Sequence, residues 1–252
     1  MNNNMDTQTQ NLADKLETLK LPFMAENLTK AATHAGRKKL DYIDFLQNLV
    51  DGEVVLKKEK GTINRIKKAK FPCIKTLEQF DWNHPTKINR MQIENLFRLG
   101  FIDEKKNIIM LGNCGLGKSH LSVALAHKAC SKGYSTLFIP AVDIINNLSA
   151  AVAVNSLDKA IKKYILPRVL VIDELGYLPI DKQGANLLFQ VISKRYETGS
   201  IILTGNRAFK DWPKVFNNDS TVTSAVLDRL LHHSEVVVIE GESYRMKNKI
   251  EE

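Results

Sequence analysis

Three groups of residues in this chain have types and spacings that can do chemistry. The first is Gly112 to Ser119, GNCGLGKS, which fits the pattern G-x-x-x-x-G-K-[ST]. Glycines turn the backbone tightly and let its N–H groups approach phosphate oxygens with no Cβ in the way. Gly112, Asn113, Cys114, Gly115, Leu116 and Gly117 form the loop, Lys118 would reach the β- and γ-phosphates, and the Ser119 hydroxyl would ligate Mg²⁺. The second group is Asp173 and Glu174, at the end of the apolar run Arg168 to Ile172. Asp173 can hold Mg²⁺ through water, and Glu174 can orient and polarise an attacking water. An Asp-Glu pair after a strand is more simply a helix cap, but downstream of a phosphate loop it completes a hydrolytic site.

The third group is Asn206, Arg229 and Arg245. Asn206 follows the apolar run Ile201 to Thr204, at the strand end where open α/β sheets place their ligands. Its amide could fix the attacking water, and an ordinary turn role is equally open. Arg229, in VLDRLLHH, is either a surface charge or, in a ring or filament, a group that reaches a neighbour's γ-phosphate. Arg245, in SYR, could approach the phosphates of its own subunit or the next. His232 and His233 are adjacent, so a helix would point them in different directions, which favours capping or packing over metal ligation.

These groups need a scaffold. Asn107 to Leu111 has strand character, and Leu121, Ala124, Leu125 and Lys128 follow the loop at helical spacing. Such a helix directs its partly positive N-terminus at the same phosphates. Further strands are expected over Tyr134 to Ile139, Arg168 to Ile172, Ile201 to Thr204 and Glu235 to Glu240, with helices over Val142 to Ala153, Leu157 to Leu166, Ala185 to Tyr196 and Ala225 to Leu231. This alternation predicts a doubly wound parallel sheet.

Upstream, residues 1–10 read as a disordered tail. Two short helices are expected between Asn11 and Ala32, hinged near Pro22. A third, capped by Asp41, should bury Ile43, Leu46, Leu49, Val50 and Val54 on one face, with an interruption near Gly61 and a stop at Phe71-Pro72. Phe80 and Trp82 should pack a connector against the core, and a helix should run from Asn89 to Leu99. The expected organisation is a basic helical domain over 1–75 and an ATPase domain over 76–252.

Composition bounds the partners. The 252 residues carry a net charge of +8, which favours a polyanion. Through residue 90 there are 16 Lys and Arg against 11 Asp and Glu. Lys57, Lys58, Lys60, Arg65, Lys67, Lys68, Lys70 and Lys75 are opposed only by Glu59. Charge of one sign suits phosphate contact better than a merely solvated face. The first seven of these are the candidate DNA contacts. No apolar run is long enough to span a membrane, and the polar N-terminus lacks the regions of a signal peptide. Three cysteines without metal spacing, Cys73, Cys114 and Cys130, point to reduced thiols and a cytoplasmic setting.

LGNCGLGKSHLSVALAHKA, VLVIDELGYLP, ILTGNRAFKDWPKVF, AVLDRLLHH and IEGESYR, in this order, resemble the IstB family of AAA+ transposition helpers, relatives of the DnaC and DnaI helicase loaders. LKLPFMAENL, DFLQNLVDGEV and AKFPCIKTLEQFDW extend the resemblance into the N-terminal half. It implies an AAA+ core with a five-stranded parallel sheet, ATP and Mg²⁺ as cofactors, Asp173 and Glu174 as Walker B, Asn206 as sensor 1, Arg229 as arginine finger and Arg245 as a sensor-2-like residue. It further implies ATP-dependent homo-oligomerisation on duplex DNA, target-site selection and recruitment of a partner transposase. The loop reads GNCGLGKS where the family usually has a proline and a threonine, and ILTGN replaces a more typical Thr-Ser-Asn. The chain ends soon after SYR, leaving no room for a full helical C-terminal lid, so a neighbouring subunit is expected to close the site. A helicase loader, a small-molecule kinase and a binding module clamped by ATP are the rival readings.

Overall fold

In the computed structural model, residues 2–244 are described. The chain divides into two compact units, Met1–Asn64 and Arg65–Glu252. The division falls inside a helix and before the expected boundary at 75. The reason is local: Arg65 Nε donates to Cys130 O at 2.8 Å, Ala69 is fully buried, and Phe71 meets Phe138 edge-on.

The first unit contains α1 (Asn2–Thr18), α2 (Pro22–Lys38) and most of α3 (Tyr42–Ala69). The expected tail over 1–10 is instead helical from Asn2, in a stretch with no glycine or proline to break it. Pro22 opens α2, where its missing N–H costs nothing. Leu21 cannot cap that helix; Glu53 on α3 does so, its Oε2 accepting from Met24 N at 3.1 Å. Asp41 caps α3 as expected, accepting from Asp44 N at 2.7 Å. The interruption near Gly61 does not occur, and α3 runs unbroken for 28 residues. Its apolar positions also depart from expectation: Leu49 is buried, whereas Ile43, Leu46, Val50 and Val54 are exposed. Gly52 faces α2 instead, where a Cβ would lie 1.9 Å from the Phe23 ring.

In the second unit, α4 (Arg90–Leu96) and α5 (Gly100–Asp103) lead into β1 (Asn107–Leu111) and then α6 (Lys118–Ser131). The helix expected over Asn89 to Leu99 is α4, which ends at Leu96, and Leu99, with a φ of 68°, separates it from α5. There follow β2 (Thr136–Pro140), α7 (Ala141–Ala153), α8 (Leu157–Ile165), β3 (Val169–Leu175), α9 (Lys182–Arg195) and β4 (Ser200–Gly205). After β4 come a 3₁₀ turn (Phe209–Asp211), α10 (Trp212–Val215), α11 (Ser220–Leu231) and β5 (Ser234–Val238). The five strands form one parallel sheet in the order β2-β3-β4-β1-β5.

Helices cover both faces of the sheet, so the central strands are apolar on both sides. Ile109, Leu111, Leu170 and Ile172 point to a core shared with α7, α8, α9 and α11. Ile108, Met110, Val169 and Val171 alternate with them into a second core with α4, α5, α6 and the aromatic connector. Two features of this sheet position the site. β4 lies between β1 and β3, so residues at its C-terminal end stand between the phosphate loop and the paired carboxylates. Arg195 is 1% exposed. Its guanidinium donates to the carbonyls of Tyr164, Ile165, Pro167, Arg168 and Ser200, tying the α8–β3 connection to the start of β4. Burial lowers its pKa to about 10, so it remains a cation at neutral pH. Beyond β5 the described residues continue only as a short segment to Tyr244, with no helical lid among them.

Candidate nucleotide site

The phosphate loop leaves β1 with Gly112 N donating to Gly205 O at 3.3 Å, so β4 holds its root. Gly115 and Gly117 have φ of 79° and 87°, the left-handed region that glycine adopts without strain. Space imposes the same choice. A Cβ on Gly117 would lie 2.5 Å from the Phe80 ring, and one on Gly112 would lie 2.2 Å from Ile239 O. Leu116 anchors the loop by burying its side chain in the core, leaving only its backbone for the site. Lys118 opens α6 and is nearly buried, its Nζ donating to Asn113 O at 2.6 Å.

The other half of the site comes from β3 and β4. Asp173 Oδ1 accepts from Ser119 Oγ at 2.9 Å and from Thr204 Oγ1 at 2.5 Å. Ser119 and Asp173, both expected to serve a metal ion, are therefore in direct contact. Glu174 is turned out of the strand. The β3–β4 register shifts between Ile172 and Leu175, and Glu174 takes a φ of 59°. This bulge leaves Asp173 buried and exposes the adjacent carboxylate to the cleft. A side-chain-bearing residue in that conformation costs on the order of 1 kcal/mol or more. Thr204 helps hold it, its Oγ1 accepting from Glu174 N at 2.9 Å.

Asn206 follows β4 and lines the same cleft. Its Nδ2 lies 4.0 Å from Cys114 Sγ, and its Oδ1 is buried without a hydrogen-bond partner. The cleft has a volume of about 920 Å³, at the upper end of the range for small-molecule sites. Its far wall is the connector, with Cys73, Lys75, Gln79 and His84, and Tyr244 closes one side. The segment ending at Tyr244 is fastened at three points. Glu240 pairs with Lys87, Glu242 O lies 2.8 Å from His84 Nε2, and Tyr244 N donates to Gly115 O at 3.0 Å. Arg245 lies outside the described residues.

The glycine cradle and the Ser119–Asp173 oxygen pair fit a Mg²⁺-bound triphosphate. The loop N–H groups and Lys118 would hold the phosphates, with Ser119 and Asp173 toward the metal. Arg229 is placed differently. It stands on α11 with Nη1 donating to Ala225 O at 3.2 Å and its guanidinium 4.8 Å from the Phe189 ring centroid. It does not line the cleft of its own chain. Of the candidate DNA contacts, Lys57, Lys58, Lys60, Lys67, Lys68 and Lys70 are exposed, whereas Arg65 is half-buried and engaged with Cys130 O.

Thr204 and Tyr244 are the site residues that motif reading passes over. A threonine inside the apolar run of β4, two residues before Asn206, was a usable signal, since a buried hydroxyl requires a partner. Tyr244 carries no such signal, because the closure it makes depends on the path of the backbone after β5.

A model of the family described as IstB-like ATP binding protein matches residues 14–252. A protein of insertion sequence IS5376 from Geobacillus stearothermophilus, named for ATP binding, is 41% identical over 231 residues, covering 92% of each chain. One from insertion sequence IS21 of Pseudomonas aeruginosa is 39% identical over 234 residues, covering 93% of this chain and 88% of that one. Among solved structures, DnaI superposes with a TM-score of 0.56 at 16% identity, covering 66% of this chain and 90% of its own. The DnaC helicase loader gives 0.50 at 24% identity, covering 63% and 98%. AMPPCP-bound DnaA from Aquifex aeolicus gives 0.56 at 19% identity, covering 68% and 51%. At these identities the structural likeness is one of fold, an AAA+ core.

Proposed function

The chain belongs to the family of IstB-like ATP-binding proteins, and on that footing we propose that it is a transposition helper that assembles on duplex DNA with ATP. In this reading the assembled form selects target DNA and recruits a partner transposase. The single observation that carries the reading is the division of the site. Lys118, Ser119, Asp173, Glu174 and Asn206 converge on one cleft, while Arg229 is not among the residues that line it. Among the described residues no arginine lines this cleft to meet the charge that develops on the transferred phosphoryl group. An arginine displayed elsewhere on the same domain can meet that charge in a neighbouring copy.

ATP supplies the transferable phosphoryl group, and Mg²⁺ neutralises its charge when bound. Lys118 and the loop N–H groups orient the phosphates. Asp173 accepts from Ser119 and Thr204 and is so held in place. Glu174, lifted from the strand by the bulge, takes up the proton of a water that Asn206 positions. The exposed lysines of α3 give sequence-independent contact with DNA phosphates, and names of relatives from insertion sequences support the transposition setting.

Light scattering tests the assembly. With duplex DNA present, ATP should raise the mass of the species well above that of the nucleotide-free mixture. An unchanged mass would remove the proposal. Pull-down against a transposase and a replicative helicase separates this reading from that of a helicase loader.

A further inference from the structure

The far end of α11 brings together three side chains that the nucleotide site does not use. α11 ends at Leu231 and β5 begins at Ser234, so His232 and His233 sit on a turn between them. On a continuing helix adjacent residues would diverge. Here the two imidazole rings approach to 4.1 Å between centroids. Glu197, which follows the end of α9, joins them, with Oε1 3.7 Å from His233 Nε2. One ligand atom from each of the three residues falls within 4.8 Å of the others, and all three residues are exposed.

We propose that Glu197, His232 and His233 form a site for a divalent transition-metal ion of the Zn²⁺ class, bound by two imidazole nitrogens and one carboxylate oxygen. Four observations support it. The donor set is one that zinc favours, with a fourth position open to water. His232 has the partner that a ligating histidine needs, since Tyr196 Oη lies 2.8 Å from His232 Nδ1. With Nδ1 protonated and donating to the phenol oxygen, Nε2 keeps its lone pair for the metal. Glu197 is held in the left-handed region at φ 57°, which fixes the direction its side chain leaves the chain. Finally, the C-terminal ends of α9 and α11 both lie at this cluster, and a helix C-terminus favours a cation.

Zinc–ligand bonds of about 2.0–2.2 Å place tetrahedral ligands about 3.4 Å apart. Rotamer adjustment of three exposed side chains covers the difference. The bound ion would clamp the end of α9 to the end of α11, one turn beyond Arg229. Motion of the helix that carries Arg229 would then depend on metal occupancy.

Zinc titration of the full-length chain, followed by isothermal calorimetry and metal content after dialysis, tests the site. The H232A/H233A variant and the shape-conserving E197Q variant are run beside it, with retained ATP binding as the check on folding. The wild-type chain should hold one more ion per chain than H232A/H233A. E197Q should weaken that ion's binding, and Y196F should weaken it by about 10-fold. Equal zinc stoichiometry and affinity in wild type and H232A/H233A, with any residual binding then due to other groups such as the exposed thiols, would overturn the proposal.

Discussion

At the residue scale the site rests on how Thr204 divides its two hydrogen-bonding roles. Its hydroxyl donates to Asp173 and accepts from Glu174 N. One side chain thus fixes the buried carboxylate and steadies the strained backbone that exposes the other. Thr204→Val keeps the shape and removes both bonds, leaving Glu174 N and one Asp173 lone pair unsatisfied. The expected stability loss is about 1–3 kcal/mol, read from urea unfolding, with a fall in phosphate release larger than any change in ATP affinity. Glu174→Gln should separate the steps further. ATP binding should persist while single-turnover hydrolysis drops by about 10²-fold or more. Gly117→Ala should abolish ATP binding measured by fluorescence titration, because its Cβ would press into Phe80 at 2.5 Å and strain a φ of 87°.

At the scale of elements, Arg195 is the joint between α9, β3 and β4. It donates to five carbonyls and has no need of a carboxylate partner. Arg195→Met should destabilise the fold by several kcal/mol, because each buried carbonyl left without a donor costs about 1–3 kcal/mol. Denaturant unfolding of the full chain measures it. Arg195 also marks a limit of sequence reading. In Ala185 to Tyr196 it falls at the end of an amphipathic helix, where arginine is ordinarily solvated. Gly199 leaves room for it there, since a Cβ at that position would lie 2.7 Å from the guanidinium. The strands, by contrast, were legible because each is a short apolar run, and parallel strands covered on both faces require such runs. The phosphate loop was legible because its chemistry fixes residue types at fixed spacing. The bulge at Glu174 was not, since it arises from the pairing of β3 with β4. Nor was the exposed apolar face of α3, because helical periodicity reports that a face is apolar and says nothing of what covers it. The turn that brings His232 and His233 together was hidden for a related reason: adjacency along a helix misleads where the helix stops.

At the scale of the whole molecule, the proposed nucleotide site is one shared between copies of the chain. Salt provides one test of the DNA side. Duplex affinity should fall steeply, by about 10³-fold or more between roughly 50 and 200 mM salt if six or more phosphates are contacted. Replacing Lys57, Lys58 and Lys60 with alanine should flatten that slope. Fluorescence anisotropy across a salt series reads both, and a slope that is the same in the variant would remove these lysines from the interface. The assembly side has a sharper test, because the proposal places Glu174 and Arg229 of one working site on different copies of the chain. Arg229→Ala and Glu174→Gln are each expected to abolish DNA-stimulated ATPase activity alone. Mixing the two variants with duplex DNA should restore a measurable fraction of it, since an Arg229→Ala copy retains Glu174 and an Glu174→Gln copy lends Arg229. A mixture as inactive as its parts, or an Arg229→Ala protein that hydrolyses ATP at the wild-type rate, would contradict a site completed by a neighbour.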